Sequence, residues 1–233
     1  MKQLIILDFD GVLFDSLFEV YEVCQNVAST SSKFRQDVGF EEFLAFRKHL
    51  VDAWQFNRLY SKECLISDFK DLLHSQRNEQ DIEFAEKFFL TRKEMMEDSQ
   101  WAALLSPYLF FNEIKKDLHR FQHVFKILSM RNEYSIRRAL DFYSAPKLEI
   151  AGQELIEMHG SKLDVATHLG WLSPEVSSIY IDDMPQHIEQ LEEKVDLAVH
   201  ADWGYGDGSK SLNSCSQVFS IKLVKLILEH QLP

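Results

Sequence analysis

Cysteine is scarce and unpatterned in this sequence: Cys24, Cys64 and Cys215 are three in 233 residues, with no CxxC pair. An odd, scattered set argues against a disulfide framework or a zinc cluster and fits a reducing compartment. Long apolar runs are missing near the start. Only Leu4 to Leu7 are consecutively apolar before Asp8, far short of a signal-peptide core or of the roughly 20 residues that span a bilayer. The expected location is the cytoplasm. Positive charge is also in deficit, with 25 Lys and Arg against 37 Asp and Glu and a formal net charge of -12. Such a surface repels polyphosphate backbones and anionic membranes, so neither nucleic acid nor membrane is an expected partner, while small ligands are. Internal repeats, low-complexity tracts and long linkers are absent.

What is present is a globular chain, 45% hydrophobic and long enough to bury a substantial core. Leu4 to Leu7 read as a strand covered on both faces, as in a parallel sheet. Similar runs at His123 to Leu128, Ser178 to Ile181, Val195 to Val199 and Val218 to Ile221 alternate with helical stretches or loops, which predicts an α/β fold with a Rossmann-like parallel sheet. Residues 17–99 break that alternation. Leu17, Val20, Tyr21, Cys24 and Val27 form one helical stripe; Phe40, Phe43, Leu50, Val51 and Trp54 form another, and a third pattern runs from Asp81 to Met96. About eighty helical residues between consecutive strands greatly exceed an ordinary crossover, so 17–99 is expected to be a helical domain inserted into a core of 1–16 and 100–233.

Acids gather at the ends of the predicted strands. In doubly wound folds ligands bind outside the carboxyl ends of the strands, where Asp8 and Asp10 follow the first apolar run and Asp182 and Asp183 close SIYI. Carboxylates about 4 Å apart repel by about 4 kcal/mol per pair at an effective dielectric of 20. A hard divalent cation with oxygen ligands would balance them, and Mg²⁺ suits a site that also takes a phosphate-bearing substrate.

DFDGV at Asp8 to Val12 resembles the DxDG[TV] signature of the haloacid dehalogenase superfamily, mostly Mg²⁺-dependent phosphatases. Three further signals follow in the family's order: FKILS ending at Ser129, GSKLDVATHL carrying Lys162, and IYIDD. The helical insertion after the first motif is similar to the family's cap domain, and LFDS with WGYG resembles the phosphoglycolate phosphatase-like branch. Four ordered signals are far more specific than DxDG alone. The resemblance covers the core and does not extend residue by residue into the insertion.

The resemblance implies a role for each motif residue. Asp8 would be the nucleophile, forming an aspartyl-phosphate. Asp10 would protonate the leaving oxygen and later deprotonate water, its backbone carbonyl also binding metal. Gly11 would let the backbone approach the phosphate. Ser129 and the backbone of Met130 would hold phosphoryl oxygens. Lys162 would bridge Asp8 and the phosphate, with Lys147 in reserve. Asp183 would ligate Mg²⁺ directly and Asp182 would touch the metal or its waters. His187, Leu163 and Met130 depart from residues common in the family at those places. His187 could order a water but adds no negative charge.

Other features have plainer readings. Ser16 to Glu19 and Ser161 to Asp164 read as capping patterns that open helices. GYGDG at Gly204 to Gly208 lacks the GK[ST] of a nucleotide loop and is expected to border the site. His119 and His123 do not suggest zinc. Arg47, His49, Trp54 and Arg58 are either substrate readers or one solvated helix face. The leading expectation is a Mg²⁺-dependent phosphatase acting on a small phosphorylated metabolite. A phosphosugar mutase and a catalytically silent binding protein are the alternatives, whereas a dehalogenase would need neither metal nor Asp10.

Overall fold

The computed structural model describes residues 2–47, 50, 52–62, 76–205 and 214–229. The chain divides into two compact units, Met1–Asp15 with Ser106–Pro233, and Ser16–Leu105. His49, Val51, Cys64 and Gly206 to Gly208, named above, lie outside the described residues.

The first unit is built on strands β1 (Lys2–Leu7), β2 (Phe14–Asp15), β3 (Ser106–Pro107), β4 (Phe125–Leu128), β5 (Glu149–Ala151), β6 (Val176–Asp182), β7 (Leu197–Ala201) and β8 (Ser214–Cys215). Six of them form one sheet in the order β5-β4-β1-β6-β7-β8, with every pairing parallel. β2 and β3 form a separate antiparallel ribbon, Phe14 opposite Pro107 and Asp15 opposite Ser106. The order is that of a doubly wound Rossmann-like sheet, with its switch point between β1 and β6. Leu4, Ile5, Ile6 and Leu7 are all buried, because side chains that alternate between two covered faces leave none for solvent. Leu4 and Ile6 pack with Ile156, Val165, Trp171, Ile188 and Leu191, which come from the helices Gln153–His159, Lys162–His168 and Pro185–Leu191 and the turn that leads into β6.

One strand reading changes, and two strands of the sheet, β5 and β8, had no reading. β5 did not register as an apolar run because it is three residues long, with Glu149 leading. Val218 to Ile221 is not a strand but part of the helix Gln217–Glu229, which buries Ser220, Ile221, Val224, Ile227 and Leu228. That spacing is helical, and four apolar-rich residues are too few to distinguish the periods.

The second unit contains the helices Leu17–Ser29, Phe40–Arg47, Phe56–Tyr60 and Glu79–Met95. Val20, Val23, Cys24, Val27, Phe43, Phe56, Phe84 and Phe88 share its core. The second predicted stripe is not one helix: Leu50 lies outside helix and Trp54 sits in a short 3₁₀ turn, Ala53–Gln55. The capping box expected at Ser16 does not form either. Ser16 makes no side-chain cap bond, and the Glu19 carboxylate instead accepts from Arg92 Nε (2.9 Å), Arg92 Nη2 (3.0 Å) and Trp101 Nε1 (3.3 Å). Among the described residues no helix is long and apolar enough to cross a membrane.

Candidate active site

Asp8 directly continues β1, its N–H donating to Ile181 O at 2.9 Å, and Asp182 is the last residue of β6. Pairing of β1 with β6 therefore carries the two acidic motifs to the same edge of the sheet. After Asp8 the chain turns tightly, with Leu13 and Phe14 N–H groups donating to Phe9 O and Gly11 N–H donating to Phe14 O. Gly11 has φ +81°, and a Cβ there would overlap the Asp183 carboxylate; a Cβ on Gly204 would overlap the Asp183 side chain too. The two glycines thus make room for Asp183, a close approach that only the absence of a side chain permits. Asp183 is further held by Tyr205 N–H, donating to its Oδ2 at 2.6 Å, and by His200 Nε2 on its backbone carbonyl at 2.8 Å.

Lys162 is 1% exposed and opens the helix Lys162–His168, which Ser161 caps by accepting from Asp164 N–H at 3.1 Å. Its ammonium lies 2.7 Å from Asp182 Oδ2 and 3.2 Å from Asp8 Oδ2. Burial works to lower the Lys162 pKa, but Asp182 and Asp8 outweigh it and hold the group above its ordinary value, so it remains charged. Lys147 is exposed, unlike Lys162. Ser129 follows β4, buried, its N–H donating to Ala151 O and its Oγ accepting from Arg131 N–H at 3.3 Å. Met130 is partly exposed.

The two acids at the end of β6 have different surroundings. Asp182 is saturated: Oδ2 accepts from Lys162 and from the Tyr180 hydroxyl, Oδ1 from Met184 N–H at 2.7 Å, and His187 Nδ1 stands 3.2 Å from Oδ2. Burial raises its pKa, yet Lys162 and His187 overcome that and hold the carboxyl well below its usual range. The potential ligand atoms of Asp8, Asp182 and His187 lie within 4.8 Å of one another, but Asp182 and His187 direct theirs at each other. That disfavours Asp182 as a metal ligand.

Asp8 is differently placed. Its Oδ1 accepts from Phe9 N–H at 2.7 Å. Burial pushes its carboxyl up to about 7, Lys162 pulling against this and Asp182 and Asp183 adding to it. Asp10 is gripped by Arg131, whose Nε lies 3.0 and 2.9 Å from the two carboxylate oxygens and whose Nη2 lies 2.9 Å from Oδ1. Arg131 escaped the reading of the sequence, which stopped at Met130; an arginine two residues after a strand-end serine was the only available signal. Tyr180 and His200 were missed as well, since each looks like an ordinary strand residue.

Charge bookkeeping tests the fit of a divalent cation. Asp8, Asp10, Asp182 and Asp183 bring up to four negative charges against two permanent positive ones on Lys162 and Arg131, so 4 − 2 leaves at most two unbalanced when all four are ionised. A hard dication matches both that deficit and the oxygen donors of Asp8 and Asp183.

No protein-family model matches the sequence, and no curated protein matches it. Solved structures do match. A predicted phosphatase from Clostridium acetobutylicum is 14% identical with a TM-score of 0.64, covering 98% of this chain and 99% of that one. A haloacid dehalogenase-like family hydrolase from Streptococcus pneumoniae is 15% identical, TM-score 0.57, covering 96% and 98%. A beta-phosphoglucomutase from Clostridium difficile is 15% identical, TM-score 0.57, covering 98% and 100%. At such identities the likeness is one of architecture: along nearly its whole length, the chain has the fold of haloacid dehalogenase-like hydrolases.

Proposed function

We propose that the chain is a Mg²⁺-dependent phosphomonoesterase acting on a small phosphorylated metabolite through an aspartyl-phosphate on Asp8. The observation that carries this reading is the convergence of Asp8, Lys162 and Asp183 at the carboxyl ends of β1 and β6. In the first step an Asp8 carboxylate oxygen bonds to phosphorus as the ester P–O bond breaks, and the leaving oxygen takes a proton from Asp10. In the second, Asp10 removes a proton from water, whose oxygen bonds to phosphorus as the bond to Asp8 breaks. Lys162 offsets the charge of Asp8 and of the phosphoryl oxygens, and the Ser129 hydroxyl donates to one of those oxygens.

Asp8, Asp183 and the Asp10 carbonyl would hold Mg²⁺, which when bound supplies positive charge that keeps Asp8 ionised and draws in the phosphate. The inserted unit, 16–105, is read as a cap domain; Trp54 and Arg58, candidate substrate readers in the sequence, are buried in it, and Arg58 pairs with Asp81. The fold shared with a beta-phosphoglucomutase favours one second reading, a mutase that returns the phosphoryl group to a sugar.

The test is hydrolysis of acetyl phosphate and p-nitrophenyl phosphate by the purified full chain, with and without Mg²⁺. Release of inorganic phosphate that requires Mg²⁺ and disappears in Asp8→Asn is expected. Equal turnover by Asp8→Asn and the parent would overturn the covalent route, and transfer to an added sugar phosphate in preference to water would select the mutase.

A further inference from the structure

We propose that Arg131 is a positioning residue for Asp10, fixing the carboxylate that exchanges a proton with the leaving group; this rests on the phosphatase reading above. Asp10 has two rotatable side-chain bonds and a partly exposed side chain. The Arg131 guanidinium confines it with three contacts between 2.9 and 3.0 Å, reaching both oxygens. A planar fork fixes the plane of a carboxylate as well as its location, which a lysine ammonium cannot do.

The arginine is itself held rigidly. Its N–H donates to Ser129 Oγ and its carbonyl accepts from Gln153 N–H at 3.1 Å. Its guanidinium carbon lies 5.7 Å from the centre of the Phe9 ring, and the residue is 3% exposed. Gly152 permits this arrangement, since a Cβ there would come within 3.0 Å of Arg131 O and 2.7 Å of Glu133 N. The loop after β4, which carries Ser129, is thereby pinned to the loop after β1, which carries Asp8 and Asp10. A surface ion pair would need none of this. Burying a guanidinium against an acid carries a desolvation cost that stability alone does not explain, whereas a proton donor must stand within about 3 Å of the oxygen it serves.

The two esters phenyl phosphate and p-nitrophenyl phosphate have nearly the same shape but differ in how much their leaving oxygen needs a proton. Values of kcat/KM with Mg²⁺ should fall at least tenfold further for phenyl phosphate than for p-nitrophenyl phosphate in Arg131→Met, with Arg131→Lys intermediate. In an Asp10→Asn background, Arg131→Met should change neither value by more than twofold, because a residue acting through Asp10 has nothing left to position. Equal losses on the two esters, or full additivity with Asp10→Asn, would overturn the role. Melting curves report whether Arg131→Met folds, and Arg131→Lys carries the same comparison if it does not. Should the parent protein turn over neither ester, the phosphatase reading falls and takes this proposal with it; parent turnover with equal losses in the variants strikes Arg131 alone.

Discussion

The Asp183 carboxylate fills the space that a side chain on Gly11 would need, and Gly11 stands in the left-handed region at φ +81°. The conformation of the turn after β1 and the placement of an acid from β6 are therefore a single constraint. Gly11→Ala should cost at least the roughly 1–2 kcal/mol of an alanine held at positive φ, with an added cost for displacing Asp183. Urea unfolding measures the loss. A variant as stable as the parent would show that the turn relaxes freely.

Asp8 predicts a metal-dependent pH profile. Its carboxyl is raised from 3.8 to about 7 in the folded chain, so the folded state binds the proton more tightly than the unfolded one. Without metal, stability should decline as pH rises from about 4 to about 7. Asp182 acts with the opposite sign: its lowered pKa contributes stability above the ordinary carboxyl pKa that is lost as pH falls below it. Melting temperatures should therefore rise on adding Mg²⁺ more at pH 8 than at pH 5. Asp8→Asn should stabilise the metal-free protein at pH 8 and show a smaller response to Mg²⁺. A Mg²⁺ response that is the same at both pH values would contradict this.

Asp182 and Asp183 are expected to separate in function although they are neighbours. Asp182→Asn should lower kcat by about tenfold or more through loss of the anchor for Lys162, with little change in the Mg²⁺ concentration needed for half-maximal activity. Asp183→Asn should raise that concentration. Titrations of activity with Mg²⁺ in the two variants decide the matter, and an unchanged titration in Asp183→Asn removes that residue from the metal site.

The buried Glu19–Arg92 pair should govern the stability of the inserted unit. Arg92→Ala removes two charge-assisted hydrogen bonds from a fully buried carboxylate and should cost about 3–5 kcal/mol. The double replacement Glu19→Leu with Arg92→Met should cost much less, since it removes both charges together. Denaturant unfolding of the two variants provides the comparison, and equal losses would mean that the pair acts through packing.

Much of the fold was legible because it rests on local pattern. The apolar residues Leu4 to Leu7 and SIYI mark β1 and β6, and the acids following them could be assigned to strand ends before any contact was known. Lys162 was marked by the likeness of GSKLDVATHL to a family motif, and its contacts with Asp8 and Asp182 come from the fold. Other elements were not legible. Val218 to Ile221 looked like a strand because a four-residue window contains about one helical turn, while the burial of Val224, Ile227 and Leu228 that fixes the period lies further along. The Ser16 to Glu19 pattern promised a cap, but Glu19 found a stronger partner 73 residues away in Arg92.

Which residues form the sheet's central strands, and that carboxylates stand at their ends, follows from neighbours a few positions apart. How those acids divide their tasks was set by long-range contacts alone. Asp182 is saturated by Lys162, Tyr180 and Met184, Asp183 is seated against two glycines, and Asp10 is held by an arginine 121 residues away. A carboxylate's pKa and its availability to a metal or a proton depend on which donors reach it through space, and chain order does not encode that distance.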